Sequence, residues 1–225
     1  ASTLTMIAHA WKDRGLSPEI VDRLVATTDG VPLFVEELTR MIVESRQPAD
    51  PEQTTIPGTL QELLLAKLDL LRPIGKQVAQ VASILGRDFH YELLRYVSPF
   101  DEMSLQEGLE ILANADILHS QGDPPDSRYV FKHALIQQAA YQSLMKSDRQ
   151  RHHRRAAEVL SDVFTETAEE QPELLAHHHS EAGDQTQAIA FWEKAGQRAA
   201  ARSAMVEAIN QYTRAREALK AEPEG

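Results

Sequence analysis

Nine histidines, no cysteine and one run of arginines are the residues of this sequence that could hold a metal or do nucleophilic chemistry. His177-His178-His179 is contiguous, and His152-His153 is an adjacent pair. On a helix three neighbouring side chains fan across roughly 200°, whereas ligand pairs stand at i and i+4 so that both rings reach one ion. Neither cluster has that spacing, so packing or solvation is the expected role and no metal site is assigned. The absence of cysteine removes thiolate ligands, nucleophilic thiols and disulfides, which is compatible with a reducing, cytoplasmic setting. His133 stands apart. It follows Phe131-Lys132 at the end of an expected strand and precedes Ala134-Leu135-Ile136, where a helix begins, so the residues alone read it as a packed or capping histidine.

A phosphate-binding loop needs GxxxxGK[ST], because its backbone amides form the cradle and its lysine reaches the terminal phosphates. Gly75-Lys76 is followed by Gln77, and no glycine stands five residues before Gly75. GxSxG, HExxH and DxDxDG patterns are absent too. No catalytic residue is assigned, and the chain is expected not to be an enzyme.

The basic run Asp148-Arg149-Gln150-Arg151-His152-His153-Arg154-Arg155 sits in a chain of net charge −11. That balance argues against nucleic-acid and anionic-membrane partners, which need a basic surface. The run is expected to be a solvated helix face or a local contact. No apolar stretch approaches the length of a membrane span, and Ala1-Ser2-Thr3 has no signal-peptide character.

Helices must carry most of these residues, since Leu, Ala, Glu and Gln dominate while glycine and proline are scarce. Ser17-Pro18 reads as an N-cap with proline at the first helical position, Thr28-Asp29-Gly30-Val31-Pro32 as a break, and Leu33 to Ser45 as a second helix. Residues 46–57 read as a polar, proline-rich linker. Thr59 with Glu62, and Ser104 with Glu107, match capping boxes. Between them lie helices over Ile74–Leu85, closed by Gly86, and around Tyr91–Val97. The strand signal is confined to Ile117–Ser120 and Tyr129–Phe131, flanking the turn Gly122–Asp126. Three helices followed by a two-stranded hairpin is the order of a winged helix. Its third helix, which would enter a DNA groove, carries Glu107 and Glu110 and no basic residue, so a structural or switching module is expected rather than a DNA reader.

From Ala134 the pattern is helical, with breaks near Ser147, Glu169–Pro172, Gly183-Asp184 and Ser203. Gln187–Ala195 is echoed by Glu207–Ala215, each with a small residue, an aromatic four later and alanine three after that. Small-to-large nesting of this kind occurs in tetratricopeptide hairpins, although the offset of 20 residues is short of the usual period of about 34. The expected fold is mainly α, in three parts: a helical segment over 1–57, a winged helix over 58–145 and tetratricopeptide-like hairpins over 146–225.

The stretch Thr28-Asp29-Gly30-Val31-Pro32-Leu33-Phe34-Val35-Glu36-Glu37-Leu38 resembles the STAND signal-transduction ATPases. The likeness is to the ATPase segment that follows the cyclase domain in bacterial class III adenylate/guanylate cyclase-like proteins and recurs in transcriptional regulators. It continues through Ile56–Leu64, Gly86–Phe89, Tyr129–Ile136, Ala139–Tyr141 and Leu174–His179. The resemblance implies that Gly30 and Pro32 belong to a GxP motif whose proline packs on the adenine from a helical lid. It implies that His133 senses the β-phosphate of ADP, and that the C-terminal helices are a sensor or scaffold for an unknown protein partner. Glu36 and Glu37 recur in the family, but solvation is their expected role. The Walker segments of such proteins precede the GxP motif. ATP or ADP with Mg would therefore be bound by an upstream core of the same longer chain, and these residues alone are expected neither to hydrolyse ATP nor to make a cyclic nucleotide. A DNA-binding regulator and an interaction scaffold with no nucleotide link are the alternatives.

Overall fold

The computed structural model describes residues 27–28, 31–44, 58–122 and 126–221. Within them the chain is mainly helical, with 11 helices and one small antiparallel sheet. The expected Ser17 helix, Gly30, the 46–57 linker and the centre of the Gly122–Asp126 turn lie outside the described residues. None of the described helices is long and apolar enough to cross a membrane.

The chain divides into two compact units, residues 1–72 and 73–225. The first contains α1 (Pro32–Glu44) and α2 (Leu60–Asp69). Proline opens α1, where its missing N–H costs nothing. Phe34, Val35 and Leu38 form its buried stripe. Thr59 caps α2 by accepting from the Glu62 amide at 3.2 Å, and the Glu62 carboxylate reaches back to the Gly58 amide at 2.9 Å. Glu37 departs from the solvated role expected of it. It is buried, and one carboxylate oxygen accepts from Lys67 Nζ at 2.6 Å while the other has no hydrogen-bond partner among the described residues. Glu36 is exposed and pairs with Arg40. The expected boundary at 57/58 thus falls inside the first unit, ahead of α2.

The second unit opens with α3 (Pro73–Ile84), β1 (Asp88–His90), α4 (Tyr91–Val97), α5 (Glu102–Asn114), β2 (Leu118–Gln121) and β3 (Arg128–Phe131). The sheet has three strands, not two. β3 lies in the middle and pairs antiparallel with both β1 and β2. Phe89 of β1 stands opposite Tyr129, their rings stacked at 6.0 Å, and Phe131 tilts against Phe89 at the same distance. Strand β1 is three residues long, too short to show alternation, and only pairing reveals it. The N-cap of α5 is Asp101, which accepts from the Ser104 amide at 2.9 Å, so Ser104 lies inside the helix rather than at its cap.

Helices α3 and α5 cross where Gly75 and Gly108 remove side chains. A Cβ on Gly75 would stand 2.6 Å from Ile111, and one on Gly108 2.5 Å from Val78. The glycine of the failed phosphate-loop match is therefore a packing residue.

Six helices complete the unit: α6 (Ala134–Gln142), α7 (Lys146–Asp162), α8 (Thr165–Glu170), α9 (Pro172–Ala182), α10 (Gln185–Ala201) and α11 (Met205–Ala221). Gly183, with φ of 83°, ends α9 in the left-handed region that glycine enters without penalty. The core here is built from small residues. Ala157, Leu160, Ala168 and Leu175 form one cluster, and Ala176, Ala188, Trp192 and Ala215 the next, with Phe191 against both. Of the echoed residues, Ala188, Trp192, Ala195, Ala208 and Ala215 are buried along α10 and α11, which pack on each other, whereas Tyr212, the aromatic of the second copy, is exposed.

Candidate functional site

Pro32 is the first residue of α1 and is exposed; its partner in the implied motif, Gly30, lies outside the described residues. His133 is the N-cap of α6 in the second unit. Its extended backbone (φ −130°, ψ 137°) lets its carbonyl accept from Ile136 and Gln137, while its side chain makes no capping bond. Its Nε2 is buried and has no hydrogen-bond partner among the described residues. Polar residues adjoining His133 along the chain, and one bonded to the same segment, have other partners. Lys132 pairs with Asp116, Arg87 donates to the carbonyls of Phe131 and Lys132, and Gln137 donates to the Ser83 carbonyl at 2.7 Å. A buried ring nitrogen without a partner costs on the order of 1–3 kcal/mol, so it is a place where an added donor or acceptor would be welcome.

The second polar constellation joins α6, α7 and α9. His153 and His178 face each other from α7 and α9 with Nδ1 atoms 2.9 Å apart, both rings buried. His153 Nε2 is 3.1 Å from the Tyr141 hydroxyl, which donates to Glu181 at 2.9 Å. The His177 ring meets His153 edge-on at 5.5 Å. Burial, then the neighbouring His177, His152 and Arg149, push the His153 imidazole down to about 3. Burial likewise holds His178 well below the ordinary histidine range, and His152 is lowered for the same reason. Burial and the hydrogen bond to Glu181 raise the Tyr141 phenol to about 12. These are neutral imidazoles in a helix interface. No group of three or more His, Asp or Glu side chains among the described residues is placed to hold a metal ion.

Sequence spacing tests partners on one helix, and the His153–His178 pair is made between two. That is why the pattern of histidines gave no sign of it. The arginines around them act locally: Arg149 lies over the Tyr141 ring, Arg154 donates to the Ala182 carbonyl and Arg155 to that of Tyr96.

No family model matches the chain. Over 217 residues it is 28% identical to an uncharacterized protein of Rhizobium meliloti (strain 1021), a match covering 92% of this chain and 21% of that protein. The chain thus spans about a fifth of the length of the curated relative it matches.

Proposed function

We propose that this chain is a non-catalytic regulatory part of an ATP-dependent signal-transduction switch, working beside an ATPase core elsewhere in a longer cytoplasmic protein. The observation that carries the reading is the buried, unpartnered Nε2 of His133 at the start of α6. An imidazole whose ring nitrogen is buried without a partner gains a hydrogen bond when a conformational change uncovers it, and a diphosphate oxygen is an acceptor that could then pair with it. ATP or ADP with Mg would owe most of its binding to the core's phosphate loop. From the second unit His133 would add one hydrogen bond; a contact of Pro32 with the base is what the family resemblance implies for the first unit.

The element order supports a winged helix as the switching module. Helix α3, strand β1, helices α4 and α5 and the β2–β3 pair follow the winged-helix sequence, with β1 supplying the strand that closes the sheet. The packing of α9, α10 and α11 supports the tetratricopeptide-like reading of the C-terminal helices as a sensor or scaffold. Release of the His133 contact on nucleotide exchange would then be an ordinary two-state element biased by a ligand. The DNA-binding alternative is disfavoured because the outer face of α5 presents Glu102, Glu107 and Glu110, which a phosphate backbone would repel. A scaffold with no nucleotide link stays as the rival. Whether the longer protein makes a cyclic nucleotide or controls transcription is left to its other domains.

His133→Ala in the longer protein is expected to speed ADP release by about tenfold, the loss of roughly one charge-assisted hydrogen bond. An ADP off-rate equal to that of the unmodified protein removes His133 from the mechanism and favours the scaffold.

A further inference from the structure

Helices α9 and α11 both pack on α10 and leave a groove of about 1130 Å³ among the three. Pockets for small molecules run to roughly 300–1,000 Å³, so this one has room for a stretch of polypeptide. Its apolar side is formed by Leu174, Trp192, Met205 and Val206. Met205 and Val206 are 56% and 76% exposed, large apolar surface turned to water at the groove's edge. Such surface next to a concave site is suited to a contact with groups beyond the described residues.

The polar side is unbalanced. Glu173, Glu207 and Glu217 line it against the single guanidinium of Arg214, which is spent over the Trp192 ring at 4.8 Å. Glu207 pairs with Arg202 at 3.2 Å. Glu173 and Glu217 have no ion-pair partner among the described residues. Gln211, also in the lining, has a buried side-chain oxygen that accepts no hydrogen bond from the described residues. The groove therefore offers three acceptors that lack donors and an apolar wall that lacks a cover. Its occupant must bring hydrogen-bond donors, positive charge and apolar bulk together.

We propose that this groove binds a segment of a partner protein in which lysine or arginine alternates with a large apolar side chain. The cations lie against Glu173 and Glu217, a backbone or side-chain N–H reaches Gln211 Oε1, and the apolar residues cover Val206 and Leu174. Anionic partners are repelled by the same carboxylates. The proposal names the partner class of the C-terminal helices without requiring a nucleotide.

The test is fluorescence polarisation of the full 225-residue chain with a short labelled peptide of alternating leucine and lysine. A leucine–glutamate peptide and an all-lysine peptide are the comparisons. The leucine–lysine peptide is expected to bind at least about tenfold more tightly than either, a difference of roughly 1.4 kcal/mol. Glu173→Gln with Glu217→Gln should weaken it about tenfold. Val206→Ser, a change at an exposed position, should weaken it several-fold while leaving the circular dichroism unchanged. Equal affinity for the three peptides, no binding, or binding indifferent to these substitutions overturns the proposal. The measurement involves no nucleotide, so it can succeed where the His133 experiment fails, and the reverse.

Discussion

The Nδ1 atoms of His153 and His178 stand 2.9 Å apart, and the hydroxyl of Tyr141 decides which of them carries the proton. Tyr141 has one hydrogen and gives it to Glu181, a carboxylate that can only accept. Its oxygen must then accept from His153, which places that imidazole's proton on Nε2. The Nδ1 of His153 is left as the acceptor, and His178 donates from its own Nδ1. One carboxylate on α9 thus sets the tautomers of two buried rings on facing helices.

Nitrogen NMR of the neutral protein should therefore find His153 protonated on Nε2 and His178 on Nδ1. Tyr141→Phe removes the relay and should cost about 1–2 kcal/mol in urea unfolding, since it leaves the His153 Nε2–H without an acceptor. The opposite tautomer on His153 would mean that the hydroxyl points away from Glu181.

Acid should loosen this interface. The imidazole of His153 has its pKa lowered from 6.5 to about 3 on folding, so between those values the unfolded chain binds a proton that the folded one refuses. The associated stability is present in full above about pH 6.5 and is lost as pH falls toward 3. The dependence is about 1.4 kcal/mol per pH unit for each such proton. His178, also lowered, acts in the same direction. Urea midpoints should fall between pH 7 and pH 5, and His153→Gln should flatten that dependence by close to one proton. An identical slope in the variant would assign the acid sensitivity to other groups, His178 and the carboxylates among them.

Local signals were legible in the sequence, and pairings between distant segments were not. Thr59 caps its helix, Gly183 ends another, and the strands at Leu118–Gln121 and Arg128–Phe131 fall where β-rich runs flank a turn. Each depends on neighbours within a few residues. Strand β1 exists because the Phe89 segment pairs with β3 some forty residues later, and nothing in Asp88-Phe89-His90 announces that. Asp101 outcompeted Ser104 as the cap of α5 because it stands one turn earlier and presents a charged acceptor. Buried Glu37 looked like any helix carboxylate, since its Lys67 partner lies on another helix. The His153–His178 pair and the groove beside Trp192 belong to the same class. The histidines were visible as types, but their meeting depends on how α7, α9, α10 and α11 stack.

The crossing of α3 and α5 gives a prediction about a glycine in which two effects oppose each other. Gly108→Ala gains about 1 kcal/mol in helix propensity. Against that, the new methyl would stand 2.5 Å from Val78 Cγ2 and 3.3 Å from the Ile74 carbonyl, and the backbone atom cannot move aside cheaply. Overpacking of this kind costs about 1–3 kcal/mol, so the net loss lies between about 0 and 2 kcal/mol, and the close backbone contact puts the variant toward the upper end. Gly108→Ala with Val78→Ala should recover part of the loss. A single variant as stable as the unmodified chain would mean that the two helices separate easily.

His133 separates a functional residue from a structural one by the sign of its stability effect. A histidine kept for packing should be costly to replace. One kept for an external partner should not, because its buried Nε2 is unpaired among the described residues and an apolar ring would end the desolvation penalty. Its backbone bonds to Ile136 and Gln137 survive any substitution. His133→Phe is therefore expected to leave the melting temperature of this chain unchanged or raised by a few degrees, while the proposed nucleotide role requires ADP release from the longer protein to speed up about tenfold. A loss of more than about 1 kcal/mol in the isolated chain would instead place His133 among the packing residues, and the nucleotide-sensing role would lose its support.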